Sequence, residues 1–196
     1  MTIICAITNG DETILGCDQR SGDFMVPTKW VIHGRPVVQV DLESPKAIVR
    51  LDGGRQWAIG TSGAHRTQQL IERATIPDTD DPFRVSTWIR DLLLEDGYQP
   101  EPGNYDPPAL GGGILLARPG RVWHVAGCFS TVEVRGFAAT GSGRMYADGA
   151  AWMAQRRGAG PREQIYEAVQ SAIALDRDGC GGEAVVCVLG HNWAGW

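Results

Sequence analysis

Thr2 is the first residue whose type and place point to chemistry. A side chain as small as threonine permits removal of the initiator methionine, which leaves Thr2 with a free α-amine. That amine has an unperturbed pKa near 7.7–8.0, so at neutral pH part of it is the neutral base. Beside a hydroxyl it serves as the base for the hydroxyl's own attack, a Thr–N-terminal-amine nucleophile. Asp18 closes the second strand of the first hairpin, which brings its backbone toward the start of the chain. Lys46 opens the strand-like run AIVRL. Gly60-Thr61-Ser62-Gly63 joins a strand to a helix, where exposed backbone N–H groups hold an oxyanion. Gly141-Ser142-Gly143 makes the same transition, and Asp178-Gly179-Cys180-Gly181-Gly182 follows the last helix. Each has an ordinary alternative. Met-Thr is a common opening, Asp18 and Lys46 fit solvated strand ends, Ser142 fits an N-cap, and the late glycines fit helix termination.

Composition narrows the chemistry. Of 18 basic residues only Lys29 and Lys46 are lysines, so an ammonium requirement falls on these two and the chain terminus. Five cysteines (Cys5, Cys17, Cys128, Cys180, Cys187) form no Cys-x-x-Cys pair, which argues against a disulfide framework or a zinc site. Cys5, Cys17, Cys128 and Cys187 sit in strand-like runs and are expected in the core. His33, His65, His124 and His191 lack ligand spacing, so neither metal nor cofactor is expected. A net charge of -5 argues against nucleic-acid binding, which needs clustered Lys and Arg. No apolar run approaches the roughly 20 residues of a membrane span. The opening also lacks the basic start of a signal peptide, so a cytoplasmic setting without a membrane is expected.

The length of 196 residues suits one domain, 1–196, around one core. Residues 3–8 and 13–18 read as β strands around Asn9-Gly10, a hairpin signal. The segment 23–43 reads as a strand or two with an irregular excursion, and AIVRL and RQWAIGT flank Asp52-Gly53-Gly54 as another hairpin. Helices follow at 63–75 and from Asp81, with Asp81 as N-cap, Pro82 first and Gly97 as stop. GGGILLAR and RVWHVAG turn at Pro119-Gly120, and short strands run to Ala139. Helices are expected from about Ser142 to Gln155 and from Pro161 to Leu175, then a last strand at 183–189. Strands and helix pairs are grouped rather than alternating one by one. That grouping predicts an α+β fold, a four-layer α-β-β-α sandwich of two antiparallel sheets flanked by helix pairs. The seven tryptophans read as core and interface material, with Trp193 and Trp196 on a tail suited to a neighbouring subunit.

Taken in order, TIICAITNGDETILGCDQRSG, WAIGTSGAHRTQQLIERA, GGGILLARPGRVWHVAG, AATGSGRMYADGAAWM and AIALDRDGCGGEAVVCVLG resemble successive segments of the proteasome β-subunit family. The likeness extends to its simple bacterial ATP-dependent protease subunits and runs over most of the chain. It implies the N-terminal-nucleophile hydrolase fold and hydrolysis of peptide bonds by a threonine peptidase once Met1 is removed. By resemblance Thr2 is the nucleophile, and Lys46 paired with Asp18 eases its deprotonation. The Gly60 N–H is the oxyanion donor, while Ser142 and Asp178 hold the amine and a water. Arg20 and Cys180 stand at supporting positions. The partners implied are a peptide or protein substrate, further copies in a homo-oligomeric ring, and an ATP-driven unfoldase.

Two departures accompany the likeness. Lys46 lies 28 residues after Asp18, farther than in the family, which requires an insertion in 23–45. It also stands four residues before Arg50, one more than the family's lysine from its basic residue, and one step along a strand reverses the face. On that count Ala47 competes for the lysine's place, and Lys29 is the other amine. The family's Asp-x-x-Ser-Gly-Gly is one residue shorter here, with Cys180, a weaker hydrogen-bond donor, in place of serine. These departures keep two alternatives in view: an inactive structural or binding subunit of the same fold, and an N-terminal-nucleophile amidase acting on small amides.

Overall fold

In a computed structural model of the chain, the described residues are 2–21, 31–32, 35–36, 40–41, 47–52, 55–63, 65–97 and 112–190. Residues 20–56 and 65 are described, where at all, through their backbone alone. The strands are β1 (Ile4–Thr8), β2 (Thr13–Cys17), β3 (Arg20–Ser21), β4 (Val31–Ile32), β5 (Arg35–Pro36), β6 (Val40–Asp41), β7 (Ala47–Asp52) and β8 (Arg55–Thr61). After helices α1 (His65–Arg73) and α2 (Pro82–Glu95) come β9 (Ile114–Arg118), β10 (Arg121–Val125), β11 (Thr131–Val134) and β12 (Phe137–Thr140). Helices α3 (Arg144–Arg156) and α4 (Pro161–Leu175) precede β13 (Val185–Leu189).

Two antiparallel sheets form the body. The first has the order β12-β1-β2-β13 and the second β11-β10-β9-β8-β7. In 23–43, where one or two strands are expected, the described pieces are two-residue pairings instead. Arg20–Ser21 pairs with Val40–Asp41, and Val31–Ile32 with Arg35–Pro36.

Residue alternation assigns the layers. In β1 and the residue before it, Ile3, Cys5 and Ile7 face α3 and α4, whereas Ile4 and Ala6 face the second sheet. In β8, Ala58 joins the inter-sheet core with Leu115, Ala117 and Val122, while Trp57 and Ile59 meet the α1–α2 side with Val85, Ile89 and Leu93. Strand side chains alternate faces, so a strand buried on both sides is apolar throughout. Three apolar layers between four slabs of structure make the α-β-β-α sandwich expected from the order of elements. Asp81 caps α2, its side chain accepting from the Phe83 N–H at 2.9 Å, and Gly97 follows with φ +81°. Pro161 opens α4. Cys128 is a correction: it is exposed in the turn after β10, not in the core. The tryptophans divide, Trp57 and Trp123 being buried and Trp152 exposed.

Candidate active site

The site begins with the register of the first hairpin. Ile4 pairs with Cys17, and one more step of that ladder sets Asp18 opposite Ile3, with the Asp18 N–H donating to the Ile3 carbonyl at 3.3 Å. Asp18 is fully buried, and among the described residues three donors lie on its carboxylate. The Thr2 hydroxyl donates to Oδ1 at 2.6 Å, the Ile3 N–H to the same oxygen at 3.1 Å, and the Gly181 N–H to Oδ2 at 3.1 Å. A buried carboxylate requires such partners, because desolvation without them is expensive. Thr2 itself is only 3% exposed. The hairpin register and the turn after α4 therefore fix one hydroxyl against one carboxylate.

The Gly141-Ser142-Gly143 segment passes over Thr2. Gly141 has φ +107°, and a Cβ there would overlap the Thr2 carbonyl oxygen. The Gly143 N–H donates to that oxygen at 3.4 Å. A Cβ on Gly143 would come within 2.7 Å of the Ala172 Cβ and 2.8 Å of the Cys180 sulfur. Close approach thus explains both glycines. Ser142 does not cap α3; the cap is Gly143, without a side-chain bond. The Ser142 hydroxyl instead donates to Asp176 Oδ2 at 2.5 Å. The same oxygen accepts from the Cys180 thiol at 3.5 Å. Asp176 is the C-cap residue of α4, and the Gly179 and Cys180 N–H groups fold back onto its carbonyl at 3.0 and 2.8 Å.

Asp176 is the residue that sequence reasoning missed. The carboxylate brought to Ser142 and Cys180 is that of Asp176, and Asp178 lies exposed two positions farther along the turn. Asp176 directly follows the last helical residue, and that C-cap position is the signal that was available.

Gly60 lies on β8 between Ala47 of β7 and Leu115 of β9, facing the inter-sheet layer. A Cβ there would come within 2.6 Å of the Ile4 side chain, two residues from Thr2. Arg20 is placed by its backbone pairing with Asp41. Met1, Lys29, Lys46, His33, His191, Trp193 and Trp196 lie outside the described residues.

Burial sets the behaviour of two other thiols. Desolvation pushes the Cys5 thiol well up, and it pushes the Cys187 thiol up to about 12, with Cys17 adding to both. Neither is a nucleophile near neutral pH, because the reactive form is the thiolate. Among the described residues no group of three or more His, Cys, Asp or Glu side chains gathers to hold a metal ion.

No family model matches this sequence, and no curated protein does. Solved structures do. BPH of Thiobacillus denitrificans in complex with epoxomicin superposes with a TM-score of 0.73 at 19% identity, covering 97% of this chain and 100% of that one. Eukaryotic HslV from Trypanosoma brucei gives a TM-score of 0.60 at 16% identity, over 96% and 99% of the two chains. Anbu, an ancestral beta-subunit from Yersinia bercovieri, gives 0.61 at 13% identity, over 95% of this chain and 80% of that one. This is the proteasome β-subunit-like N-terminal-nucleophile hydrolase fold. In this chain that fold puts Thr2 at the start of an interior strand of the first sheet, Gly60 on the second sheet against Ile4, and Ser142 with Asp176 beyond the Thr2 carbonyl. Among the described residues no helix is long and apolar enough to cross a membrane.

Proposed function

We propose that the chain is a threonine-type peptidase that attacks peptide bonds with the Thr2 hydroxyl after Met1 is removed. The observation that carries this reading is the buried 2.6 Å hydrogen bond from the Thr2 hydroxyl to Asp18, at the start of the first strand of this fold. In the proposed reaction the freed Thr2 amine accepts the proton of the Thr2 hydroxyl. Oγ1 then bonds to the carbonyl carbon of the substrate, and the Gly60 N–H receives the oxyanion. One such donor typically contributes about 3 kcal/mol to the barrier reduction. The proton passes to the departing amine as the C–N bond breaks. Water then hydrolyses the ester on Thr2, restoring the hydroxyl and releasing a carboxylic acid.

Asp18 orients the nucleophile. Lys46 is proposed to supply a cation beside Asp18 and Thr2 that favours the deprotonated hydroxyl. Ser142 and Asp178 are proposed to hold the amine and a water, with Asp176 steadying the Ser142 hydroxyl. The chain is proposed to act in the cytoplasm as a homo-oligomeric ring served by an ATP-driven unfoldase, with proteins or peptides as substrates.

Intact-mass analysis combined with a peptide epoxyketone probe tests the proposal. The expected result is a chain lacking Met1 that carries one adduct on Thr2, with the adduct lost in Thr2→Ala, Asp18→Ala and Lys46→Ala. A free Thr2 amine with no adduct overturns the peptidase reading in favour of a structural or binding subunit. Turnover of acylated small amines without turnover of peptides overturns it in favour of an amidase.

A further inference from the structure

The contact between the two sheets is mostly apolar, through Ile4, Ala6, Leu15, Ala58, Leu115 and Ala117. Apolar contact is non-directional, so by itself it sets a layer spacing and leaves sliding weakly opposed. Among the described residues two hydroxyl ties cross the layer. At the end of the first hairpin away from Thr2, the Thr13 hydroxyl on β2 donates to the Arg118 carbonyl on β9 at 2.6 Å. At the Thr2 end, Thr140 Oγ1 on β12 lies 3.1 Å from Ser62 Oγ, which follows β8.

The second tie is anchored on both sides. Ser62 Oγ accepts from the Gly113 N–H at 2.8 Å and donates to the Gly113 carbonyl at 3.1 Å. The Ser62 N–H donates to that carbonyl at 2.9 Å. A Cβ on Gly112 would overlap the Ser62 carbonyl, and one on Gly113 would overlap Thr140 Oγ1. On the other sheet Thr140 is the ladder partner of Ile4 and immediately precedes Gly141-Ser142. Ser62 stands two residues after Gly60. The bridge therefore joins the strand end that carries Gly60 to the strand end that lies beside Thr2.

We propose that Ser62 and Thr140 are positioning residues, a hydroxyl clamp that fixes the register of the Gly60 segment against Thr2. The use of this clamp in hydrolysis rests on the peptidase reading, whereas the clamp itself does not. A directional bond at this point converts a loose spacing into a defined one, and misplacement of reacting groups by about 1 Å slows reactions by as much as a hundredfold. Thr13 is the internal control: it is a buried residue whose cross-sheet hydroxyl ties the far end of the sandwich.

The test compares Thr140→Val, Ser62→Ala, Thr140→Ser and Thr13→Val by crystal structure, Tm and, with the epoxyketone probe, separate values for the inactivation rate and for probe affinity. Thr140→Val and Ser62→Ala are expected to move Gly60 relative to Thr2 and to slow inactivation by roughly tenfold to a hundredfold at little change in affinity. Thr140→Ser is expected to restore both. Thr13→Val is expected to lower Tm by a similar amount while leaving the Thr2–Gly60 separation and the rate unchanged. An unaltered separation in Thr140→Val, or the same displacement in Thr13→Val, overturns the clamp. A wild-type protein with a free Thr2 amine that does not react overturns the peptidase reading alone, and the separations measured in the crystals still decide the clamp.

Discussion

The two helix pairs cover their sheets with different kinds of residue. Beneath α3 and α4 the layer is rich in small side chains, Ala139, Ala147, Ala151, Ala168, Ala172 and Cys180, set among Ile3, Ile7, Ile14 and Ile165. Beneath α1 and α2 it is built from large ones: Trp57, Trp123, Phe129, Ile89, Leu93 and Leu116. Small residues let backbones approach. A Cβ on Gly16 of β2 would come within 2.5 Å of Ile165 and 2.9 Å of Val169 on α4, so α4 sits directly on the strand that leads to Asp18. The large-residue layer is filled by mass, with Trp57 and Trp123 tilted at 46° and 5.7 Å apart, and with Arg118 and Arg121 over their rings at 5.3 and 4.7 Å. Thr2 and Asp18 at the strand ends of the first sheet, and Ser142, Asp176 and Cys180 at the ends of its covering helices, all lie on the side of this small-residue layer. Close packing on that side positions backbone, while bulk on the other side supplies stability.

Three measurements sharpen or break this contrast. Trp123→Ala removes one of the largest buried side chains of the bulky layer, and a loss of about 3–5 kcal/mol is expected in urea unfolding. The folded fraction should react with the epoxyketone at the wild-type rate. Gly16→Ala forces a methyl group into α4 and is expected to cost about 1–3 kcal/mol. Despite the smaller loss, it should slow labelling of Thr2 severalfold, because β2 carries Asp18. Equal slowing by both substitutions would break the division of labour.

The smallest effect comes from His124 on β10, which shares the inter-sheet face with Val122. Desolvation, and secondarily the Arg144 guanidinium, hold its pKa below the ordinary value. Because the unfolded histidine titrates near 6.5 and the folded one lower, the unfolded state binds more protons between those two pKa values. Stability should therefore fall as pH drops through about 6.5, and His124→Gln should flatten that part of the profile in pH-dependent thermal unfolding. An unchanged profile would mean that this edge of the inter-sheet layer is as wet as solvent.

Much of the architecture was legible along the chain. Asn9-Gly10, Pro119-Gly120, Asp81-Pro82 and Pro161 mark turns and helix starts through backbone preferences that act within a few residues. The grouping of strands and helix pairs indicated the layers. Asp18 was legible because a hairpin register is a counting rule, and counting from Ile4–Cys17 leads to it. Ser142 was legible as a position, and of its two readings the structure removes the N-cap, which falls to Gly143. The partner of Ser142 depends on how the end of α4 packs beside the start of α3, and chain spacing does not encode that. Cys128 was misread because its strand-like surroundings end at Val125, and the turn that follows, with Phe129 at φ +62°, buries Phe129 and leaves Cys128 exposed.

The sequence alone determined what is local: the elements, their alternating apolar faces, and a threonine placed one hairpin away from an aspartate. Tertiary structure decided which groups meet across long separations. It paired Ser142 with Asp176, set Thr140 against Ser62, and brought the Gly181 amide to Asp18. The physical reason is range. Periodicity and turn preference act over a few residues, whereas a hydrogen bond between distant segments exists only after whole layers have packed to a spacing fixed by the volumes of the side chains between them.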